Sequence, residues 1–175
     1  GYEIFATADV ICDLWDKILD QGKDMGVIPC SFTALDKVRI EAALLFYGYD
    51  MSDENTPWEV TLGWSVDKNK GNFRGKEAVM AAKGKEKVKL VGISVQLDDM
   101  LAGGEILVLD DKEVGTVLSP GYSHRMKKSL ALVHVTPEAA QVGTTLKVKG
   151  DGIDTTAVIE RTPFYDTDKS RTHEE

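Results

Sequence analysis

The apolar positions of this chain follow two rhythms. Up to about residue 87 they recur mostly at helical spacing, and beyond it at every second residue. Val10, Ile11, Leu14, Trp15, Ile18 and Leu19 fall at i, i+4 and i+8. They predict one apolar helix face, with Asp13, Asp16, Lys17 and Asp20 on the wet side. Thr7 or Asp9 is the expected cap, and Gly22 or Gly26 the expected stop. A second helix is expected from Thr33, where Thr33-Ala-Leu-Asp36 resembles a capping box with Asp in place of Glu. Its expected buried stripe is Val38, Ala42 and Leu45. Ahead of both helices, the alternation over residues 2–6 reads as a strand already under way, whose neighbours are expected in a longer parent.

Residues 46–67 are irregular and carry Tyr47, Tyr49, Trp58 and Trp64, so they are expected to have a function or to cross between layers. Exposed apolar surface is expected at residues 2–6 and 58–64. Gly71–Gly75 reads as a turn, Lys76–Ala82 as a short helix, and Lys83–Lys87 as a charged linker at a domain boundary. Period-two runs then follow at residues 88–96, 105–109, 113–118, 130–135, 144–149 and 154–161. Asp110-Asp111-Lys112 and Gly150-Asp151-Gly152 are hairpin turns. The residues therefore predict an α+β piece followed by an all-β piece of six short strands, a small antiparallel barrel or sandwich.

Charge and composition narrow the chemistry. With 21 basic and 29 acidic residues the net charge is −8, spread evenly over both halves, which argues against tracking nucleic-acid phosphates. No apolar run approaches the roughly 18–20 residues of a membrane helix. No metal-ligand spacing, phosphate loop or dinucleotide fingerprint is present. Cys12 and Cys30 are read as packing residues in a reducing compartment, the cytoplasm or a mitochondrial matrix. His124 is read in a polar loop, Gly121-Tyr122-Ser123-His124-Arg125, and His134 on the outward face of a strand. Arg39 and Glu41 read as surface charge on the second helix. Residues 166–175 form a polar tail, and His173 carries no expectation.

Four segments in order add a resemblance. They are Gly1-Tyr2-Glu3-Ile4; Asp36 to Leu44 with Tyr47-Gly48-Tyr49-Asp50-Met51; Thr56 to Trp64 with Lys70 to Ala78; and Gly115 to Pro120 with Lys127 to Val133, closing on Pro163-Phe164-Tyr165. Together they resemble the C-terminal half of the glycine cleavage T-protein (aminomethyltransferase) family. The resemblance implies a cloverleaf of three domains around a central hole that holds tetrahydrofolate. Residues 1–67 would end an antiparallel-sheet folate-binding region with helices, 68–87 would connect, and 88–165 would form a six-stranded antiparallel β-barrel. A comparable length of chain would precede Gly1.

By the same resemblance Glu3 accepts hydrogen bonds from the pterin edge, where a carboxylate can take two parallel donors. Tyr47, Tyr49, Tyr122, His124 and Arg39 are expected to line the hole. The implied substrate is a small methyl or aminomethyl donor, and the family's catalytic aspartate would lie in the preceding half, so no catalytic residue is expected here. The family's Ala-Arg-Asp becomes Ala34-Leu35-Asp36, which removes a cation and favours demethylating relatives, including the folate-binding halves of sarcosine and dimethylglycine dehydrogenases. A non-catalytic folate-binding or interaction module is the alternative. The relative linked to iron–sulfur and tRNA work is disfavoured, because Asn72 stands where its cysteine would be.

Overall fold

Six strands close on one another in the order β1-β4-β3-β2-β5-β6, with β6 pairing back onto β1 and every pairing antiparallel. They are β1 (Lys89–Val95), β2 (Ile106–Leu109), β3 (Lys112–Ser123), β4 (Lys128–Val135), β5 (Thr145–Gly150) and β6 (Ile153–Glu160). The helices are α1 (Ile11–Gly22), α2 (Phe32–Glu41) and α3 (Lys76–Ala82). This computed structural model describes residues 2–172. Gly1 and the end of the expected tail, including His173, lie outside the described residues. The chain divides into two compact units that part between Leu35 and Asp36.

The barrel is the α+β chain's second half, as the period-two runs require. Its interior is apolar: Ile93, Val95, Leu107, Val117, Ala131, Val133, Val135, Leu146, Val148, Ala157 and Ile159 form one buried cluster. Closure removes the free strand edges that would otherwise invite aggregation. Asp110 and Asp111 both take positive φ in the β2–β3 turn, the geometry that two-residue hairpins favour.

Strand β4 is buried on both faces, which explains its near-continuous apolar run. Its second face, Leu130 and Leu132, packs with Ile40, Leu90 and Phe164 outside the barrel. Phe164 follows a cis Thr162–Pro163 peptide and lies over Gly92, where a Cβ would overlap its ring. Strand β3 carries a bulge between Val117 and Ser119. The extra residue switches the alternation, so Ser119, Gly121 and Ser123 share the outer face with Leu130 and Leu132.

Several local expectations change. Residues 2–6 form no ladder, since no described strand pairs with them. Neither Thr7 nor Asp9 caps α1 through its side chain; the Thr7 carbonyl accepts from Val10 and Ile11 instead. The helix face formed by Val10, Ile11, Trp15 and Ile18 is present but exposed. The capping box at Thr33 does not form. Ser31 Oγ accepts from the Ala34 amide at 3.1 Å, one residue before α2 begins, and Asp36 turns to Arg39.

The expected buried stripe on α2 is also replaced. Val38 and Ala42 are exposed, and the buried residues are Arg39, Ile40 and Glu41. Apolar spacing misses this because two of the three are charged, and they are buried because each finds a partner. Cys12 and Cys30 are both exposed rather than packed. Tyr2, Ile4, Phe5 and Trp64 expose apolar surface as expected. Trp58 does not: its ring lies over Gly63 and its Nε1 donates to the Val79 carbonyl at 2.7 Å. No helix among the described residues is long and apolar enough to cross a membrane.

Candidate functional site

The last turn of α2 meets β3 residue for residue. Arg39 Nη2 donates to Ser119 Oγ at 3.0 Å. Ile40 lies over Gly121, where a Cβ would come within 2.9 Å of Ile40 Cδ1. Ser123 Oγ donates to Glu41 Oε1 at 2.6 Å. The bulge in β3 makes this possible, because it turns three alternate small residues toward the helix.

Each end of this docking continues into a surface segment. Arg39 Nη1 pairs with Asp50 Oδ2 and donates to the Leu44 carbonyl at 3.3 Å, and its Nε donates to Asp36 Oδ1 at 2.7 Å. Asp50 is fully buried and also accepts from the Phe46 amide at 2.8 Å. The guanidinium lies 5.6 Å from the centre of the Phe46 ring, which meets Tyr49 edge-on at 5.7 Å. This network fixes residues 44–51, which carry the exposed Tyr47 and Tyr49.

At the other end, Ser123 Oγ accepts from the Met126 amide at 3.0 Å, which closes the β3–β4 turn. The Glu41 carbonyl accepts from the Phe164 and Tyr165 amides. That turn carries His124, whose ring meets Tyr122 edge-on at 5.3 Å and whose Nε2 lies 3.2 Å from Lys37 Nζ. Gly121, Tyr122 and Ser123 therefore belong to β3 and not to a loop; the turn begins at His124.

A second buried acid, Glu59, ties residues 56–59 to the start of β1. Its carboxylate accepts from the Thr56 amide at 2.8 Å, the Thr56 hydroxyl at 3.0 Å and the Lys87 amide at 2.9 Å. Burial raises its pKa, but these hydrogen bonds and one from the Val88 amide outweigh it and hold the carboxyl below its usual value. His134 lies on the outer face of β4, where the alternation places it, opposite Leu90 and Thr116, and is half-buried there. Burial lowers its pKa, against the opposing influence of the Asp50 carbonyl and the charges of Asp50 and Glu59.

The structure thus gathers the expected residues into two groups in the second unit: Arg39 with the segment of Tyr47 and Tyr49, and Tyr122 with His124. Arg39 is buried and engaged at Nε, Nη1 and Nη2, which corrects the surface-charge reading of Arg39 and Glu41. Glu3 belongs to the first unit, is exposed, and makes no hydrogen bond or ion pair among the described residues. Sequence reasoning did not single out Asp50, Glu59, Ser119, Ser123 or Lys37. The available signal was the pairing of two charged residues with Ile40 between them and small polar residues at alternate positions in β3. No His, Cys, Asp and Glu cluster fit for a metal occurs among the described residues.

These features define a class, an antiparallel barrel domain whose polar groups gather on its outer face. Residues 89–166 match the glycine cleavage T-protein C-terminal barrel domain, and residues 1–70 match the GCVT N-terminal domain. The chain belongs to the glycine cleavage T-protein family. It is 37% identical over 180 residues to the heme-dependent oxidative N-demethylase gamma subunit of Ectopseudomonas mendocina, covering 98% of this chain and 48% of that protein. It is 34% identical to the aminomethyltransferase of Symbiobacterium thermophilum, covering 94% and 44% respectively. The chain therefore spans about half the length of the curated relatives it matches. The crystal structure of aminomethyltransferase T from Bartonella henselae shares the fold with a TM-score of 0.80 at 24% identity, over 91% of this chain and 45% of that one.

Proposed function

We propose that this chain is the C-terminal half of a tetrahydrofolate-dependent one-carbon transferase of the glycine cleavage T-protein type. The observation that carries the reading is the match of both family segments, in order, over residues 1–70 and 89–166. The same proposal assigns residues 1–67 to the folate-binding region, 68–87 to a connection, 88–165 to the barrel domain and 166–175 to a tail.

The residues present fit the cofactor's chemistry. Glu3 offers an exposed carboxylate without a partner among the described residues, suited to the paired N–H donors of a pterin edge. Tyr47, Tyr49, Tyr122 and His124 offer rings that can wall a flat heterocycle. Arg39, being buried and engaged at Nε, Nη1 and Nη2, contributes by holding residues 44–51 in place. Tetrahydrofolate, when bound, supplies a nucleophilic nitrogen that accepts the one-carbon unit. The part of this chain is to bind and orient that ring. The catalytic aspartate implied by the resemblance lies outside this chain.

A second reading is the folate-binding half of an N-demethylating assembly. It is favoured by the relative named as an N-demethylase subunit and by Leu35 in place of the family arginine. Turnover of a methyl-amine donor by the intact protein, with and without tetrahydrofolate, tests both readings. Transfer that requires tetrahydrofolate supports the first. Demethylation that needs a redox partner, with tetrahydrofolate serving as acceptor, supports the second. Turnover indifferent to tetrahydrofolate refutes both.

A further inference from the structure

Lys37 and His124 stand out on a chain of net charge −8. Their nitrogens lie 3.2 Å apart, and neither residue is paired with a carboxylate among the described residues. With a neutral imidazole, the ammonium donates to Nε2, which leaves two ammonium N–H groups and the other ring N–H without acceptors among the described residues. With a protonated imidazole, two cations face each other at that distance. Either state presents donors from which an anion can accept.

The pair is also held in place. Lys37 lies two residues before Arg39, and His124 directly after Ser123. Those neighbours are fixed by the buried Arg39–Ser119 and Ser123–Glu41 hydrogen bonds, with Ile40 over Gly121 between them. The spacing of the two basic groups is thus set by α2 docking on β3, and not by two free surface side chains that happen to meet. Tyr122, edge-on to the imidazole at 5.3 Å, supplies a wall.

We propose that Lys37 and His124 form a carboxylate-binding subsite bordered by Tyr122. A planar carboxylate can accept from the ammonium and the imidazole together, and charge-assisted bonds of this kind are the stronger ones. The proposed function enters only for the source of the carboxylate, which is either the glutamyl end of the folate or the acid group of an amino-acid donor.

The test uses the intact protein with labelled histidine. Glutarate is expected to shift the His124 signals saturably, while chloride at equal ionic strength does not. The shift is expected to disappear in Lys37→Gln and to survive in Lys37→Arg. No shift, or an equal shift in Lys37→Gln, overturns the subsite. Two further arms separate the sources. If the carboxylate is the cofactor's, Lys37→Gln weakens tetrahydrofolate about tenfold and leaves 6-methyltetrahydropterin unchanged. If it is the donor's, Lys37→Gln raises KM for N-methylglycine and leaves a carboxylate-free N-methyl amine unchanged. Selectivity in neither arm overturns the subsite, even where glutarate binds. Binding of 6-methyltetrahydropterin to the wild type, and its loss in Glu3→Gln, reports separately on the folate reading.

Discussion

Arg39 and Asp50 form an ion pair in which the guanidinium is almost buried and the carboxylate wholly so. Truncating one partner strands the other charge away from water, at a cost of about 3–5 kcal/mol. Asp50→Ala and Arg39→Ala are each expected to lower stability by that order in denaturant unfolding. An Arg39→Met/Asp50→Leu double variant is expected to recover much of the loss, because it removes both charges. Additive losses in the double variant would contradict the pairing.

The Glu41–Ser123 bond joins α2 to the turn that carries His124. Ser123→Ala leaves a buried carboxylate oxygen without its donor, and about 1–3 kcal/mol of stability is expected to go with it. Hydrogen exchange at Met126, whose amide loses its acceptor, is expected to quicken in the same variant. Unchanged exchange there would show that the turn is held by other means.

Gly115 marks a close approach of backbones. A Cβ there would overlap the His134 carbonyl oxygen, which β4 holds in its ladder and which has no freedom to retreat. Gly115→Ala is expected to cost about 1–3 kcal/mol or more. Gly104→Ala is a useful contrast, since open space surrounds that position and only its positive φ of 90° opposes a side chain. A Gly115→Ala protein as stable as wild type would refute the close approach.

Two groups predict the acid side of the stability profile. His134 is held below its ordinary value of 6.5, so the unfolded chain binds the proton first. Its contribution is complete above about pH 6.5 and is lost as the pH falls below that. Glu59 is held below its ordinary 4.5, so its contribution is complete above that pH and is lost as the carboxyl protonates at lower pH. Urea midpoints measured from pH 8 to pH 3 are expected to fall in these two windows. His134→Gln is expected to flatten the upper one and Glu59→Gln the lower.

The barrel was legible in the sequence because a strand buried on one face writes its alternation directly into the chain. Helices α1 and α3 were legible from spacing and glycines. The buried face of α2 was not, because Arg39 and Glu41 read as solvent charges until Asp50, Ser119 and Ser123 are brought to them across the fold. The outer-face role of Gly121 and Ser123 was hidden by the bulge at residues 117–119, since one inserted residue reverses the parity of everything after it. Residues 2–6 alternate like a strand, but pairing is a property of two strands, and the described chain supplies one. Tyr122 and His124 were named from the sequence without Lys37, whose approach depends on the docking of α2.

The proposed function turns on Glu3 holding a reduced folate. The most direct test is calorimetric titration of tetrahydrofolate into the intact protein, wild type and Glu3→Gln. Saturable binding to the wild type is expected, weakened about tenfold or more when the bidentate acceptor is lost. Binding that is absent in the wild type, or equal in the variant, would contradict it.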